Sequence, residues 1–253
     1  MMNAEGRQEP AVEVSVLMPC LDEAAAVGDC VEEALKALAE MGVQGEVIVV
    51  DNGSTDDSAR MAEEAGARVV YEPRRGYGNA YLRALREARG RYLVFGDADG
   101  TYDFSAIPAF IEPLSSGADL VMGSRFEGHI QPGAMPWLHR YLGSPLFTAI
   151  VNRIFRTQIS DLHCGMRSLA REASSSLRLR SPGMEFASEL VIEAARRGLV
   201  IEEVPIAYRR RQGGEPKLRT WRDGWRHLCL ILSEARQPAM PPAALLDPEA
   251  PLP

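Results

Sequence analysis

The sequence predicts an α/β fold with a mostly parallel central sheet flanked by helices. Two observations predict it. Short apolar runs alternate with amphipathic stretches from Val14 to Met122, the pattern of strands joined by crossover helices. Acidic, basic or glycine-rich clusters recur just past these runs, where an open parallel sheet presents its ligand-binding edge.

The elements follow in order. Val14–Met18 and Glu46–Val50 read as the first two strands; between them Val27, Val31, Leu35 and Leu38 recur at helical spacing, and Gly42 stands where a helix would end. A second helix is expected after the cap-forming residues Ser54 to Asp57. Arg68–Tyr71, Arg91–Phe95 and Asp119–Met122 read as further strands, with a helix from Gly78 to Ala88 that stops at Gly90. Beyond Arg125 the pattern is less regular. Gly128 to Pro136 reads as a loop, Leu138 to Phe155 as a helix, Asp161 to Arg167 as a loop, Met184 to Arg197 as a helix and Leu199 to Ala207 as a strand. Trp221 to Glu234 reads as a helix with Trp221, Trp225, Leu228 and Leu232 on one stripe. That stripe either packs on the sheet or lies at a membrane interface, with Arg219, Arg222 and Arg226 toward lipid phosphates. Residues 1–12 and the Pro-rich 237–253 are expected to be disordered, which leaves 13–236 as one domain.

Composition narrows the function. The 253 residues carry 28 basic and 35 acidic side chains, a net charge of −7, which argues against nucleic acid as a partner. The charge is uneven: Arg196 to Arg226 holds nine Arg or Lys against four Asp or Glu, which makes an anion-binding region there an expectation. No apolar run approaches a membrane span and no signal-peptide pattern opens the chain. Cys20, Cys30, Cys164 and Cys229 lack metal-site or disulfide spacing, so reduced thiols and a cytoplasmic location are expected.

Chemistry concentrates after the strands. Asp97 and Asp99, separated by Ala98, follow a buried run, where unpaired carboxylates would be costly without a cation. Mg²⁺ or Mn²⁺ shared with a diphosphate is the simplest compensation, and a solvated turn is the plainer one. Gly76-Tyr77-Gly78 begins like a dinucleotide fingerprint, but Tyr81 stands where the third glycine belongs and the motif follows the third run. A nicotinamide enzyme is therefore disfavoured; the glycines are expected to let the backbone pass close to a phosphate or base, with Arg74 or Arg75 nearby.

With these residues in view, the chain from Val14 to Leu218 resembles the family-two glycosyltransferases of the GT-A type, a Rossmann-like fold. The stretch Val47-Ile48-Val49-Val50-Asp51-Asn52-Gly53-Ser54-Thr55-Asp56 resembles the family's nucleotide-binding strand and turn, and Asp97-Ala98-Asp99 its metal motif. Met122 to Phe126, Asp161 to Arg167 and Gly214 to Leu218 resemble the narrower group of dolichyl- or polyprenyl-phosphate mannose and glucose synthases. The resemblance implies a nucleotide-sugar half at 13–125 and an acceptor half at 126–236. Pro19, Asp22, Glu23, Asp51, Gly53, Ser54, Arg75, Gly76 and Asn79 would line the donor site with Asp97, Ala98 and Asp99, and Asp99 helped by Asp97 would hold the metal. Arg125 would meet the acceptor phosphate, joined by Arg209, Arg210, Arg211 and Lys217. The chain departs from the pattern at Asp22 for Asn, Thr101 for Gln and Pro216 for Ser.

The implied activity is inverting transfer of a sugar from a UDP- or GDP-sugar to an acceptor: a polyprenyl phosphate reached by peripheral membrane contact, or alternatively a soluble small molecule. A hydroxyl acceptor would need a base, with Asp161 and then Glu185 as candidates. A catalytically silent sugar-nucleotide-binding subunit is the reading outside enzymes.

Overall fold

A computed structural model describes residues 12–214, 217 and 220–237. The expected disordered ends lie largely outside the described residues, as does most of the Gly214 to Leu218 motif.

Seven strands form one sheet: β1 (Val14–Cys20), β2 (Gly45–Asp51), β3 (Arg68–Tyr71), β4 (Tyr92–Phe95), β5 (Leu120–Ile130), β6 (Arg167–Ala170) and β7 (Ile201–Tyr208), in the order β3-β2-β1-β4-β6-β5-β7. The helices are α1 (Val27–Glu40), α2 (Ser58–Glu64), α3 (Tyr77–Glu87), α4 (Ile107–Ser115), α5 (Ser144–Phe155), α6 (Arg171–Ser176), α7 (Phe186–Arg196) and α8 (Thr220–Ala235). The sheet is mostly parallel, and β6 runs antiparallel to both β4 and β5. Strand alternation accounts for the layers: Val14, Val16 and Met18 face α1 and α4, whereas Leu17, Ile48 and Val50 face α3 and α7. Each buried aliphatic side chain contributes roughly 1.5–3 kcal/mol, so a strand covered on both faces outweighs its modest local propensity.

Register sets the site. Cys20 pairs with Asp51, Asp51 with Tyr71 and Leu17 with Phe95, so the strands end together and the loops after β1, β2, β3 and β4 meet on one edge. Because β6 is reversed, its first residue Arg167 sits beside both Phe95 and Met122, which brings the loop at 161–166 to the same edge.

Three features depart from expectation. Gly128 to Pro136 is not all loop: β5 continues to Ile130, with a register irregularity between Ser124 and His129. A Cβ on Gly128 would run into the carbonyl of Ile206, so glycine here permits strand contact. Helix α4 contains Pro113, and β6 has four residues, two of them buried Arg167 and Ser168. The stripe on α8 does not pack on the sheet. Trp221 is 87% and Trp225 65% exposed, while the buried face of α8 carries Asp223, His227, Ile231 and Glu234.

Candidate active site

The turn after β2 is built by short side chains. Asp51 accepts hydrogen bonds from the backbone of Gly53 and Ser54, and Gly53 turns at φ +87°. Asp22 holds the left-handed conformation at φ +53°, and its carboxylate accepts from Thr55 N at 2.6 Å while its own N–H donates to Ser54 Oγ. Asp, like Asn, tolerates that conformation because its short polar side chain bonds locally, so the Asn-to-Asp departure preserves the turn. The loop after β1 is thereby tied to the loop after β2, with Pro19 beside Val50 in the register. Asn52, which the sequence reading assigned no role, extends the tie: its amide donates to the carbonyls of Glu72 and Arg74 and accepts from Gly76 N at 2.7 Å. Arg75 lies over Gly53, with Nε 3.2 Å from where a Cβ would be.

Gly76 and Gly78 lie against the segment at 181–182. A Cβ on Gly76 would meet the carbonyl of Pro182, and one on Gly78 that of Ser181; Asn79 N–H donates to Pro182 O. The close neighbour that each glycine admits in this structure is protein backbone. Asn79 also donates to Arg75 O, and Arg74 is engaged by Glu72.

The turn after β4 brings carboxylates together. Asp97 accepts from the Tyr77 hydroxyl at 3.0 Å, and burial, reinforced by Asp99, pushes its carboxyl up to about 7. Ala98 is buried, and Gly100 turns at φ +78°. Asp99 Oδ1 accepts from the Thr101 amide at 3.0 Å and hydroxyl at 2.6 Å, so Thr101 braces the motif. Asp99 Oδ2 meets Arg211 at 2.7 Å, and Arg211 also binds both oxygens of Glu23, at 2.6 and 2.7 Å. Burial raises the proton affinity of Glu23, against the pull of Arg211; Asp99 raises it further and Lys217 lowers it.

A divalent ion fits this oxygen-rich edge. Among the described residues no group of three or more ligating side chains is preassembled, so Asp99 and Asp97 would leave most positions to a diphosphate and water, the usual arrangement for Mg²⁺.

The residues expected to meet the acceptor are organised around Arg125 on β5. Its Nε and Nη2 contact the two oxygens of fully buried Asp161 at 2.6 and 2.8 Å, and its guanidinium lies 5.1 Å from the centre of the Tyr208 ring. Asp161 Oδ2 also accepts from Arg125 N, so this carboxylate orients the arginine and presents no unengaged oxygen to abstract a proton. Glu185 caps its own turn, accepting from Gly183 N, while its second oxygen is buried without a hydrogen bond, 4.0 Å from Arg226. Arg209 pairs with Glu33 and Asp103, and Arg210 donates to the carbonyl of Pro132. These two arginines lie in the expected segment but are bound to protein; Arg211 alone of the three reaches the acidic turn.

The profile described as Glycosyl transferase family 2 matches residues 15–178. The low-salt glycan biosynthesis hexosyltransferase Agl6 of Haloferax volcanii is 45% identical over 223 residues, 88% of this chain and 54% of that protein; the chain thus spans about half its length. A dolichyl-phosphate hexose transferase of the same organism is 35% identical over 177 residues, 69% of this chain and 74% of that protein. Glucosyl-3-phosphoglycerate synthase of Mycobacterium tuberculosis, solved with Mn²⁺, UDP-glucose and phosphoglyceric acid, superposes with a TM-score of 0.71 at 26% identity, covering 90% of this chain and 81% of that one. Sheet order, strand-end carboxylates and these matches agree, and the chain belongs to glycosyl transferase family 2.

Proposed function

We propose that the protein is a metal-dependent inverting glycosyltransferase that moves a sugar from a UDP- or GDP-sugar to a polyprenyl phosphate. The observation that carries this reading is the meeting of two chemistries on one sheet edge: a carboxylate-lined turn at Asp97 and Asp99, and an oriented guanidinium at Arg125. The first suits a metal-bound nucleoside diphosphate; the second suits a phosphate-bearing acceptor, since a guanidinium fork matches phosphate oxygens. The dolichyl-phosphate relative supports that acceptor class.

In this reading Asp51 and the Gly53-Ser54 turn receive the nucleoside, and Asp99 with Asp97 receives the metal on the diphosphate. When bound, the ion would supply Lewis-acid stabilisation to the departing diphosphate. Arg125 positions the acceptor phosphate, held in place by Asp161 and the Tyr208 ring. A phosphate oxygen is already anionic at neutral pH, so no base is needed, which agrees with the engagement of Asp161 by Arg125. A second acceptor class, a soluble phosphorylated metabolite, is favoured by the superposition on glucosyl-3-phosphoglycerate synthase; Arg125 would serve it equally.

The test is turnover of UDP- and GDP-sugars with Mn²⁺, using polyprenyl phosphate in detergent and small phosphorylated acids as alternative acceptors. Transfer to the lipid, lost in Asp99→Ala with unchanged thermal unfolding, is expected. Full activity of Asp99→Ala would reject the metal site, and transfer to soluble acceptors alone would reject the lipid.

A further inference from the structure

The segment after β7 is laid across the acidic turn. Arg209 N donates to Thr101 O at 2.8 Å and Gln212 N to Asp99 O at 3.2 Å, while the Gln212 side chain covers Gly100. Gly214, at φ +67°, approaches Glu23 so closely that a Cβ would lie 2.7 Å from its Oε2. The link between this segment and the carboxylates is Arg211, which joins Glu23 and Asp99 through separate nitrogens.

Asp99 burdens both Glu23 and Asp97 with like charge, which a nearby cation relieves. Arg211 supplies one here. It uses Asp99 Oδ2, the oxygen of that carboxylate not engaged by Thr101 and hence the one available to a metal. A divalent ion on that oxygen would bring two further positive charges against the guanidinium, a repulsion that favours one cation or the other there. Release of Arg211 from Asp99 would remove the segment's side-chain tie to that carboxylate and leave only the Gln212 N–Asp99 O hydrogen bond there, while Arg209 stays paired with Glu33 and Asp103.

We propose that Arg211 is an exchangeable counter-ion: it neutralises Asp99 and Glu23 before metal arrives, and binding of the divalent cation displaces it and loosens the 209–214 segment. This rests on Asp99 being a metal ligand. Displacement turns a guanidinium from an internal carboxylate toward incoming phosphates, so donor loading prepares the acceptor side. The reciprocal consequence is that Arg211 weakens metal binding in the absence of nucleotide, because linkage requires each cation to lower the affinity for the other.

The experiment is Mn²⁺ titration by electron paramagnetic resonance without nucleotide, together with amide hydrogen exchange of residues 209–214. The proteins are wild type, Arg211→Ala, Arg211→Gln, Arg211→Lys and Asp99→Ala. Expected is Mn²⁺ binding about tenfold tighter in both neutral variants, a coupling of ordinary size, with Arg211→Lys close to wild type. Mn²⁺ should speed exchange at 209–214 in wild type and leave it unchanged in the neutral variants, whose segment is already loosened. The Gln variant preserves side-chain bulk and guards against misfolding of the Ala variant. Unchanged or weaker Mn²⁺ binding in both neutral variants, with binding lost in Asp99→Ala, overturns the counter-ion role and leaves the metal site standing. Wild-type binding by Asp99→Ala overturns both.

Discussion

Arg125 and Asp161 illustrate how one residue's environment decides its role. Two oxygens on two guanidinium nitrogens, with full burial of the acid, make a pair whose separation costs about 3–5 kcal/mol, because one buried charge would be left uncompensated. Under the proposed function Asp161 is therefore a positioning residue. Asp161→Asn is expected to lower thermal stability and to raise the acceptor KM with little change in donor KM, and Arg125→Ala to raise the acceptor KM further; a general base would instead show its loss in kcat at constant KM. Steady-state kinetics on both substrates, beside thermal unfolding, separates the two. Motif resemblance marked both Asp161 and Arg125 as candidates for one site, but not their pairing. That pairing depends on β6 running antiparallel between β4 and β5, which no local pattern encodes. Asn52 was overlooked for a related reason: its three hydrogen bonds go to segments 20 to 24 residues away.

At the scale of elements, the parallel strands were readable because burial on both faces leaves uninterrupted apolar runs. Elements held by distant partners were not: β6 has too few residues to show a period, and the far half of β5 is a strand only because β7 pairs with it. Helix α8 was readable as a helix, yet its orientation was not, since its tryptophans face out and polar contacts attach it. His227 Nδ1 shares a 2.7 Å hydrogen bond with Ser188 Oγ, Glu234 pairs with Arg196, and the His227 ring stands edge-on to His163 at 4.6 Å. Burial lowers the pKa of His227 to about 4, with Asp223 opposing and Arg167 assisting, and burial beside His227, Arg125, Arg167 and His139 lowers that of His163. A base with a depressed folded pKa binds fewer protons folded than unfolded, so stability rises with pH between about 4 and 6.5 and is lost as pH falls. The His227 share is on the order of 3 kcal/mol at most. Chemical denaturation from pH 7.5 to 4.5 should show this decline, and His227→Gln should flatten it; an unchanged slope would place the proton uptake elsewhere.

The whole molecule is asymmetric in a way its net charge of −7 conceals. Residues 128–160 contain no Asp or Glu, and this 33-residue stretch exposes Trp137, Tyr141, Leu142 and Leu146. It abuts α8 through a 3.0 Å contact between His139 Nε2 and Thr220 Oγ1, and α8 exposes Trp221, Trp225 and Leu232. Arg140, Arg222 and Arg226 border these side chains, while both acids of α8, Asp223 and Glu234, are turned inward. No helix among the described residues is long and apolar enough to cross a membrane. Under the proposed function, such a face of aromatics and arginines on an acidic chain would complement an anionic bilayer surface, with rings at headgroup depth and guanidinium groups on lipid phosphates. A lipid-linked acceptor would be met at that surface. Cosedimentation with vesicles is expected to require phosphatidylglycerol, to be weak on pure phosphatidylcholine, and to fall as salt rises from 0.1 to 1 M and the screening length shrinks from about 10 to about 3 Å. Removing Trp221 and Trp225 together, as Trp221→Ser and Trp225→Ser, should reduce partitioning by roughly tenfold or more, equivalent to about 1.4 kcal/mol. The same variant should bind nucleotide sugar in solution as the wild type does, since neither ring belongs to the carboxylate edge. Equal binding by both vesicle types would remove the arginines from the explanation. A dimer by light scattering that dissociates in the double variant would assign the face to a second copy of the chain instead.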